Sequence, residues 1–484
     1  MKIKHRITIV ALGLGLAAIT SAATAEKRPN ILVILADDLG YSDVGFNGGK
    51  DVQTPALDRL ARGGTIFTSA YVAHPFCGPS RTSIMTGRYP HPLGAPFNLP
   101  NSGDGIERYN RLGVPATEPF ISVLLHQAGY YTGAIGKWHL GITAPYHPNA
   151  RGFDDFYGFL GGGHEYFPAV YGPKYDKQVK AGTKYINEYL VPLEHNGKPV
   201  VETAYLTDGF SREAVRFVKE AAARQTPFFL YLAYNAPHTP LQAKPEDLEK
   251  FAAIKDPRRR TYAAMVYALD RGVGEVVAAL QETGALDNTL IVFLSDNGGR
   301  TDEGATNRPL QGVKGDSFEG GYRVPMFFHW PNHVPAGKSY AYPVTALDFY
   351  PTFAHLAGAT VAAGKQLDGL DIWSDFLAER SPRPEGMIFV LRYRGAYSDV
   401  GARRGKWKIC RMHNAPWKLF NLDEDIGEKN DLSAKYPQLL RDMVAETEKW
   451  SRSHVRPLWF DSEEAEQAWD RNGMPNYQAT FEVK

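Results

Sequence analysis

The chain has 484 residues, about three times the length of a typical single domain, so it can hold one large domain or a large domain with a smaller companion. A composition of 43% hydrophobic, 12% aromatic and 22% charged residues is that of a soluble globular protein and excludes disordered and fibrous classes. Lys and Arg number 54 against 53 Asp and Glu, so no global field draws the protein to nucleic acid or to an anionic membrane, and any anion has to be captured locally.

The first 25 residues read as a secretory signal. Lys2, Lys4 and Arg6 supply a positive start, Ile7 to Ile19 an apolar run too short to span a bilayer, and Ala23-Thr24-Ala25 a small-residue cleavage site. The mature chain is expected to begin near Glu26 and to be exported, periplasmic or secreted; no twin-arginine pair is present, which favours the general export machinery. An uncleaved N-terminal anchor is the competing reading. No later stretch reaches membrane-spanning length, so the mature chain is expected to have no membrane span.

Strand and helix signals then alternate. Ile31 to Ala36 is a continuous apolar run of the kind a buried parallel strand shows, and it ends in Asp37-Asp38. Glu118 to Gln127 has an apolar face in Ile121, Leu124 and Leu125 and stops at Gly129; Tyr131 to Ile135 reads as the next strand, running into Lys137-Trp138-His139. Phe210 to Ala221 is an amphipathic helix, and Phe228 to Tyr234 is a strand leading to His238. Val266 to Leu280 marks a longer helix closed by Gly284, before a strand at Leu290 to Leu294 that leads into Asp296-Asn297.

This order predicts an α/β fold with a large mixed, mostly parallel sheet sandwiched by helices, over residues 26–375. In such sheets the strand ends converge on one crevice, where ligands bind. Pro382 and Pro384 mark a change of texture: Arg404 to Cys410 and Trp417 to Leu422 read as a hairpin, followed by a helix from Tyr436 to Trp450. Residues 376–484 are therefore expected to form a smaller C-terminal α+β domain.

Two cysteines cannot make a disulfide framework, and at most one Cys77–Cys410 bridge is available. Cys77 lies in Cys77-Gly78-Pro79-Ser80-Arg81, followed by Thr86-Gly87-Arg88, in a segment that reads as a loop entering a helix. A thiol or its oxidised derivative there would meet a positive potential suited to an anionic substrate; an inert buried thiol is the plain alternative. Asp37, Asp38, Asp296 and Asn297 offer hard oxygen ligands, which suit Ca²⁺ or Mg²⁺ over Zn²⁺ or copper, although each pair alone could be turn or cap residues. Lys137, Lys314 and Arg81 would turn the charge around such an ion positive.

These segments resemble the type I, formylglycine-dependent sulfatases of the alkaline phosphatase-like superfamily. The Cys77 to Arg81 run with Thr86-Gly87-Arg88 resembles the family signature, Asn30 to Asp38 its N-terminal strand and metal diad, and Gly136-Lys137-Trp138-His139-Leu140-Gly141 its Lys/His motif. Ala236-Pro237-His238, Ser295-Asp296-Asn297-Gly298 and Gly312-Val313-Lys314-Gly315 with Glu319 to Pro325 match the remaining blocks in order, and Trp417 to Leu422 is a weaker match. The resemblance implies that a modifying enzyme converts Cys77 to Cα-formylglycine, whose hydrate binds the metal beside Asp37, Asp38, Asp296 and Asn297 and attacks sulfur. It implies that Lys137 and Lys314 stabilise the sulfuryl charge, His238 protonates the leaving oxygen, His139 expels sulfate and Arg81 holds the formylglycine and metal shell. His164 and Arg300 are candidates for sugar contacts, with ordinary loop residues as the alternative. The expected substrate is a sulfated glycan, algal or from host tissue. A phosphoesterase or phosphonate-ester hydrolase of the same superfamily, or a glycan-binding protein that has lost catalysis, are the other readings.

Overall fold

The computed structural model describes residues 27–100, 111–394, 397–473 and 477–483, so the predicted signal segment lies outside the described residues. The strands of the first two-thirds are β1 (Asn30–Ala36), β2 (Thr65–Phe67), β3 (Ala70–Tyr71), β4 (Tyr131–Lys137), β5 (Asp155–Phe159), β6 (Glu194–His195), β7 (Lys198–Pro199), β8 (Phe228–Ala233), β9 (Thr289–Ser295), β10 (Met326–His329), β11 (Lys338–Tyr340) and β12 (Val344–Thr345). They build a ten-stranded sheet in the order β11-β2-β10-β9-β1-β8-β4-β5-β6-β7, with β12 and β3 as a separate pair. Its centre is parallel: β1 pairs with β9 from Asn30↔Thr289 to Ala36↔Ser295 and with β8 from Ile31↔Phe229, and β4 lies between β8 and β5. β10 runs antiparallel to β9, and β6 antiparallel to β5, which makes the sheet mixed.

Why β1 is apolar throughout follows from its position. Ile31, Val33 and Leu35 face one core while Leu32, Ile34 and Ala36 face the other, so both side-chain periods are buried. The second core is closed by the helices Leu206–Arg224 and Pro257–Glu282, whose Phe210, Phe217, Val266 and Val273 pack into it. The first is closed by the helices Cys77–Thr86 and Phe349–Leu356, through Ile84, Met85 and Phe353. The predicted helix from Glu118 opens only at Ile121, because Phe120 is extended as its N-cap. Gly136 (φ 104) is needed where β4 meets β8: a Cβ there would stand 2.0 Å from the Ala233 carbonyl oxygen.

The C-terminal region differs from the predicted hairpin. It is a four-stranded antiparallel sheet of β13 (Met387–Tyr393), β14 (Ser398–Arg404), β15 (Trp407–Arg411) and β16 (Lys418–Asn421), followed by the helix Pro437–Ser451. The predicted pairing exists between β15 and β16, with Trp407 opposite Asn421. Arg404, however, closes β14, and Gly405 (φ 54) turns the chain into β15, so one predicted strand is the junction of two. Ile388, Leu391, Val400 and Ile409 belong to the same core cluster as Ile31 and Tyr322, which seats this small sheet directly against the large one. No helix among the described residues is long and apolar enough to cross a membrane.

Candidate active site

Cys77 opens the helix Cys77–Thr86, all of whose residues are buried. Cys77 faces the crevice at the carboxyl ends of the parallel strands, and Gly78 N donates to Asn98 Oδ1 at 2.9 Å. Asp37 and Asp38 follow β1, Lys137 ends β4, and Asp296 and Asn297 follow β9. Adjacent parallel strands therefore deliver these side chains to one place. Asp38 (φ 65) and His139 (φ 64) are both left-handed without being glycine, local strain of about 1–3 kcal/mol each that the surrounding structure sustains.

The contacts form a closed charge network. Lys137 Nζ donates to Asp37 Oδ2 at 2.5 Å, and Arg81 spans Asp296 Oδ2 (2.8 Å) and Asp37 Oδ2 (3.5 Å) while donating to the Lys137 carbonyl at 2.9 Å. Lys314 Nζ lies 2.7 Å from Asp38 Oδ1 and 3.3 Å from Cys77 Sγ. Asn297 Nδ2 donates to Asp38 Oδ1 at 2.7 Å. His238 Nδ1 bonds the Thr239 carbonyl at 2.7 Å, which leaves Nε2 toward the site, 3.7 Å from Asp38 Oδ2.

Two buried oxygens, Asp37 Oδ1 and Asn297 Oδ1, have no hydrogen-bond partner, an arrangement that costs free energy unless something else satisfies them. Ligand atoms of Asp37, Asp38, Cys77 and His238 lie within 4.8 Å of one another, a group that includes the histidine expected to act on protons. Orphaned hard oxygens among carboxylates fit a divalent cation of the Ca²⁺ or Mg²⁺ kind. Asp37, Asp38 and Asp296 balance Lys137, Lys314 and Arg81, so a bound dication would give the site a net positive charge for an anionic ester.

Burial raises the Cys77 thiol, but Lys137 and Lys314 with hydrogen bonds from His139 and His238 bring it well below its usual range. For Asp37, burial is likewise outweighed, by Lys137, His238 and Arg81, and its carboxyl is lowered. Burial and the neighbouring Asp37 push Asp296 up to about 8. The two histidines diverge. Burial depresses His139, whereas for His238 the charges of Asp37 and Asp38 overcome burial and raise it.

A cavity of about 200 Å³ opens onto Cys77, His139, His238 and Lys314. Its wall adds Asn98, the adjacent Glu188 and Tyr189 of a short 3-10 turn, and Asp461, three places far apart in sequence that carry no motif. Neither proposed sugar contact lines it. His164 is buried with Nδ1 2.6 Å from the Glu165 carbonyl and Nε2 2.8 Å from that of Val191, so its ring is set among main-chain carbonyls and stands outside this cavity's lining. Arg300 turns to Asp302, 2.5 Å away, and is held on the surface by that pair. Cys77 and Cys410 are both free and buried, so no bridge joins them.

A mixed, mostly parallel sheet with carboxylates and Lys137 at its strand ends, facing a buried cysteine at a helix start and Lys314 from an irregular turn, has the architecture of the alkaline phosphatase-like superfamily. The Sulfatase family model matches residues 29–359, and the chain belongs to this formylglycine-dependent sulfatase family. It is similar to N-acetylgalactosamine-6-sulfatase of Mus musculus (33% identical, 81% of this chain and 73% of the relative) and to arylsulfatase G of Canis lupus familiaris (31%, 87% and 84%). Among solved structures it resembles Ps i-CgsB in complex with k-i-k-neocarrahexaose, at 55% identity and a TM-score of 0.92 over 94% of this chain and all of that one. The PsFucS1 sulfatase from Pseudoalteromonas sp. is 26% identical with a TM-score of 0.71, covering 89% of this chain and 92% of that one. The protein is a sulfuric-ester hydrolase.

Proposed function

We propose that this chain is an exported sulfatase that removes sulfate from a carrageenan-type galactan, using formylglycine at position 77 and Ca²⁺, or Mg²⁺. The likeness to Ps i-CgsB with a neocarrahexaose, at 55% identity over 94% of the chain, is the observation that carries the substrate. In this reading residues 26–375 hold the chemistry and 376–484 complete the cleft, to which Asp461 contributes.

Asp37, Asp38, Asp296 and Asn297 would hold the cation. Formylglycine at position 77 would supply the nucleophilic oxygen as its hydrate, and the cation, when bound, would supply acidity to that oxygen and positive charge beside the sulfate. Lys137 and Lys314 stabilise the charge spread over the transferring sulfuryl group, and Arg81 keeps Asp296 and Asp37 oriented. His238, raised by Asp37 and Asp38, is the acid: as the sulfur–oxygen bond to the sugar breaks, its Nε2 proton passes to the leaving oxygen. His139, depressed by burial, is neutral and accepts the proton whose removal releases sulfate.

The test is intact mass of the exported protein, then hydrolysis of a sulfated and a phosphorylated aryl ester side by side, followed by sulfated carrageenan oligosaccharides. Modified Cys77 with turnover of sulfate esters and galactan is the expected result. An unmodified thiol with no turnover would leave a binding protein, and preference for the phosphoester would overturn the reaction class.

A further inference from the structure

The turn that carries Lys314 is held from the C-terminal sheet. Arg392 Nη1 donates to the Gly315 carbonyl at 3.0 Å, Ser317 N lies 3.3 Å from Met412 Sδ, and Glu319 N donates to Glu428 Oε2 at 2.7 Å. Below it lies a closed ionic group. Lys408 on β15 is 0% exposed, with Nζ 3.1 Å from Glu319 Oε1 and 3.1 Å from Glu428 Oε1. The other oxygen of Glu319 accepts from Tyr71 at 2.5 Å and Arg323 at 3.0 Å. Buried ions of this kind contribute little net stability compared with an apolar core, yet they specify one arrangement of the segments they join. Glu319 is five residues beyond Lys314, and the bonds from Gly320 N to the Gln311 carbonyl (2.7 Å) and from Asp316 N to the Val313 carbonyl (2.9 Å) close the segment that holds both.

We propose that Lys408 is a positioning residue for Lys314: by tying Glu319 to Glu428 it sets the turn that keeps the Lys314 ammonium 3.3 Å from Cys77 Sγ and 2.7 Å from Asp38 Oδ1. The inference rests on the role given above to Lys314 and adds a residue that touches neither substrate nor cation.

The test uses Lys408→Met combined with Glu428→Gln, which removes one positive and one negative charge together and leaves a Gln oxygen to accept from Glu319 N. Glu428→Gln alone is the milder variant should the pair not fold. On an aryl sulfate, kcat per modified active site should fall about ten- to a hundredfold, the size expected from displacing a preorganised cation by a fraction of an ångström, with KM little changed. In a Lys314→Ala background the same substitutions should cost less than about twofold, because the group they position is gone. Amide hydrogen exchange over 313–319 should accelerate while β1 stays protected. Unchanged exchange there, or equal losses with and without Lys314, overturns the positioning. A wild type that hydrolyses no sulfate ester overturns the functional reading instead, and the exchange comparison still decides the positioning.

Discussion

Acid should weaken this fold through three buried histidines beside the active-site helix. His74, His91 and His454 lie together, with His91 stacked on His454 at 4.6 Å and His74 5.7 Å from His91. Burial holds His91 at about 3 and, with the charge of His91 added, pushes His74 and His454 well below the usual value. Unfolded, each titrates near about 6.5. Above that pH all three are neutral in both states and nothing is gained or lost. Below it the unfolded chain binds protons that the folded chain refuses, so stability falls as pH falls. At pH 5 His91 costs about 2 kcal/mol, His74 and His454 add to it in the same direction, and each imidazole that stays neutral in the fold adds a limiting slope of about 1.4 kcal/mol per pH unit. His238 works in the opposite sense because it is held charged in the fold, but its contribution is common to any pair of variants compared. Denaturant unfolding between pH 7.5 and 5 measures the slope, and His454→Phe should lower it by about one proton whatever packing it disturbs. An identical slope in wild type and variant would show that these imidazoles are not neutral in the fold.

Three further outcomes bear on the chemistry. Cys77→Ser should fold and bind substrate but lose turnover by orders of magnitude, as measured by aryl sulfate hydrolysis with intact mass; near-normal activity would refute the formylglycine mechanism. Asp296→Ala removes a carboxylate from the proposed cation site and should weaken metal binding and rate together, read by calorimetric titration of Ca²⁺ into chelated protein; full activity of a metal-free wild type would remove the cation from the mechanism. His238→Ala should harm sugar sulfates far more than esters of an acidic phenol, whereas His139→Ala should accumulate covalently sulfated enzyme with either ester. Equal losses on both esters in the first, or no mass increase in the second, would mean the two roles are wrongly assigned.

Much of the site was legible because chemistry and strand ends coincide. The apolar runs of β1, β8 and β9 are continuous since both faces of the sheet are covered, and β1, β4 and β9 deliver their polar residues where the strand stops. The C-terminal strands were harder to read: β14 has a glycine, Gly401, and only two apolar side chains, Val400 and Ala402, so its periodicity is weak. The cavity wall left no local signal at all, because Asn98, Glu188, Tyr189 and Asp461 meet only through tertiary packing. His164 read as a candidate sugar contact because of its loop, yet its ring is set between the Glu165 and Val191 carbonyls while Gly162, two residues before it, lines the cavity.

The C-terminal sheet is therefore more than a cover for the cleft. Its strands bring Lys408 beneath the Lys314 turn and Arg392 onto the Gly315 carbonyl, while Tyr393 bonds His454 at 3.0 Å in the histidine cluster next to the Cys77 helix. The parallel sheet can place Asp37, Asp38, Lys137 and Asp296 without help, because each follows a strand whose register is set by its neighbours. Lys314 has no such strand; it follows an irregular stretch bonded to Gly299 at one point and to Pro75 at another. A cation that must meet developing charge within a fraction of an ångström needs a rigid support, and here β13 and β15 add theirs to the bonds from Gly299 and Pro75.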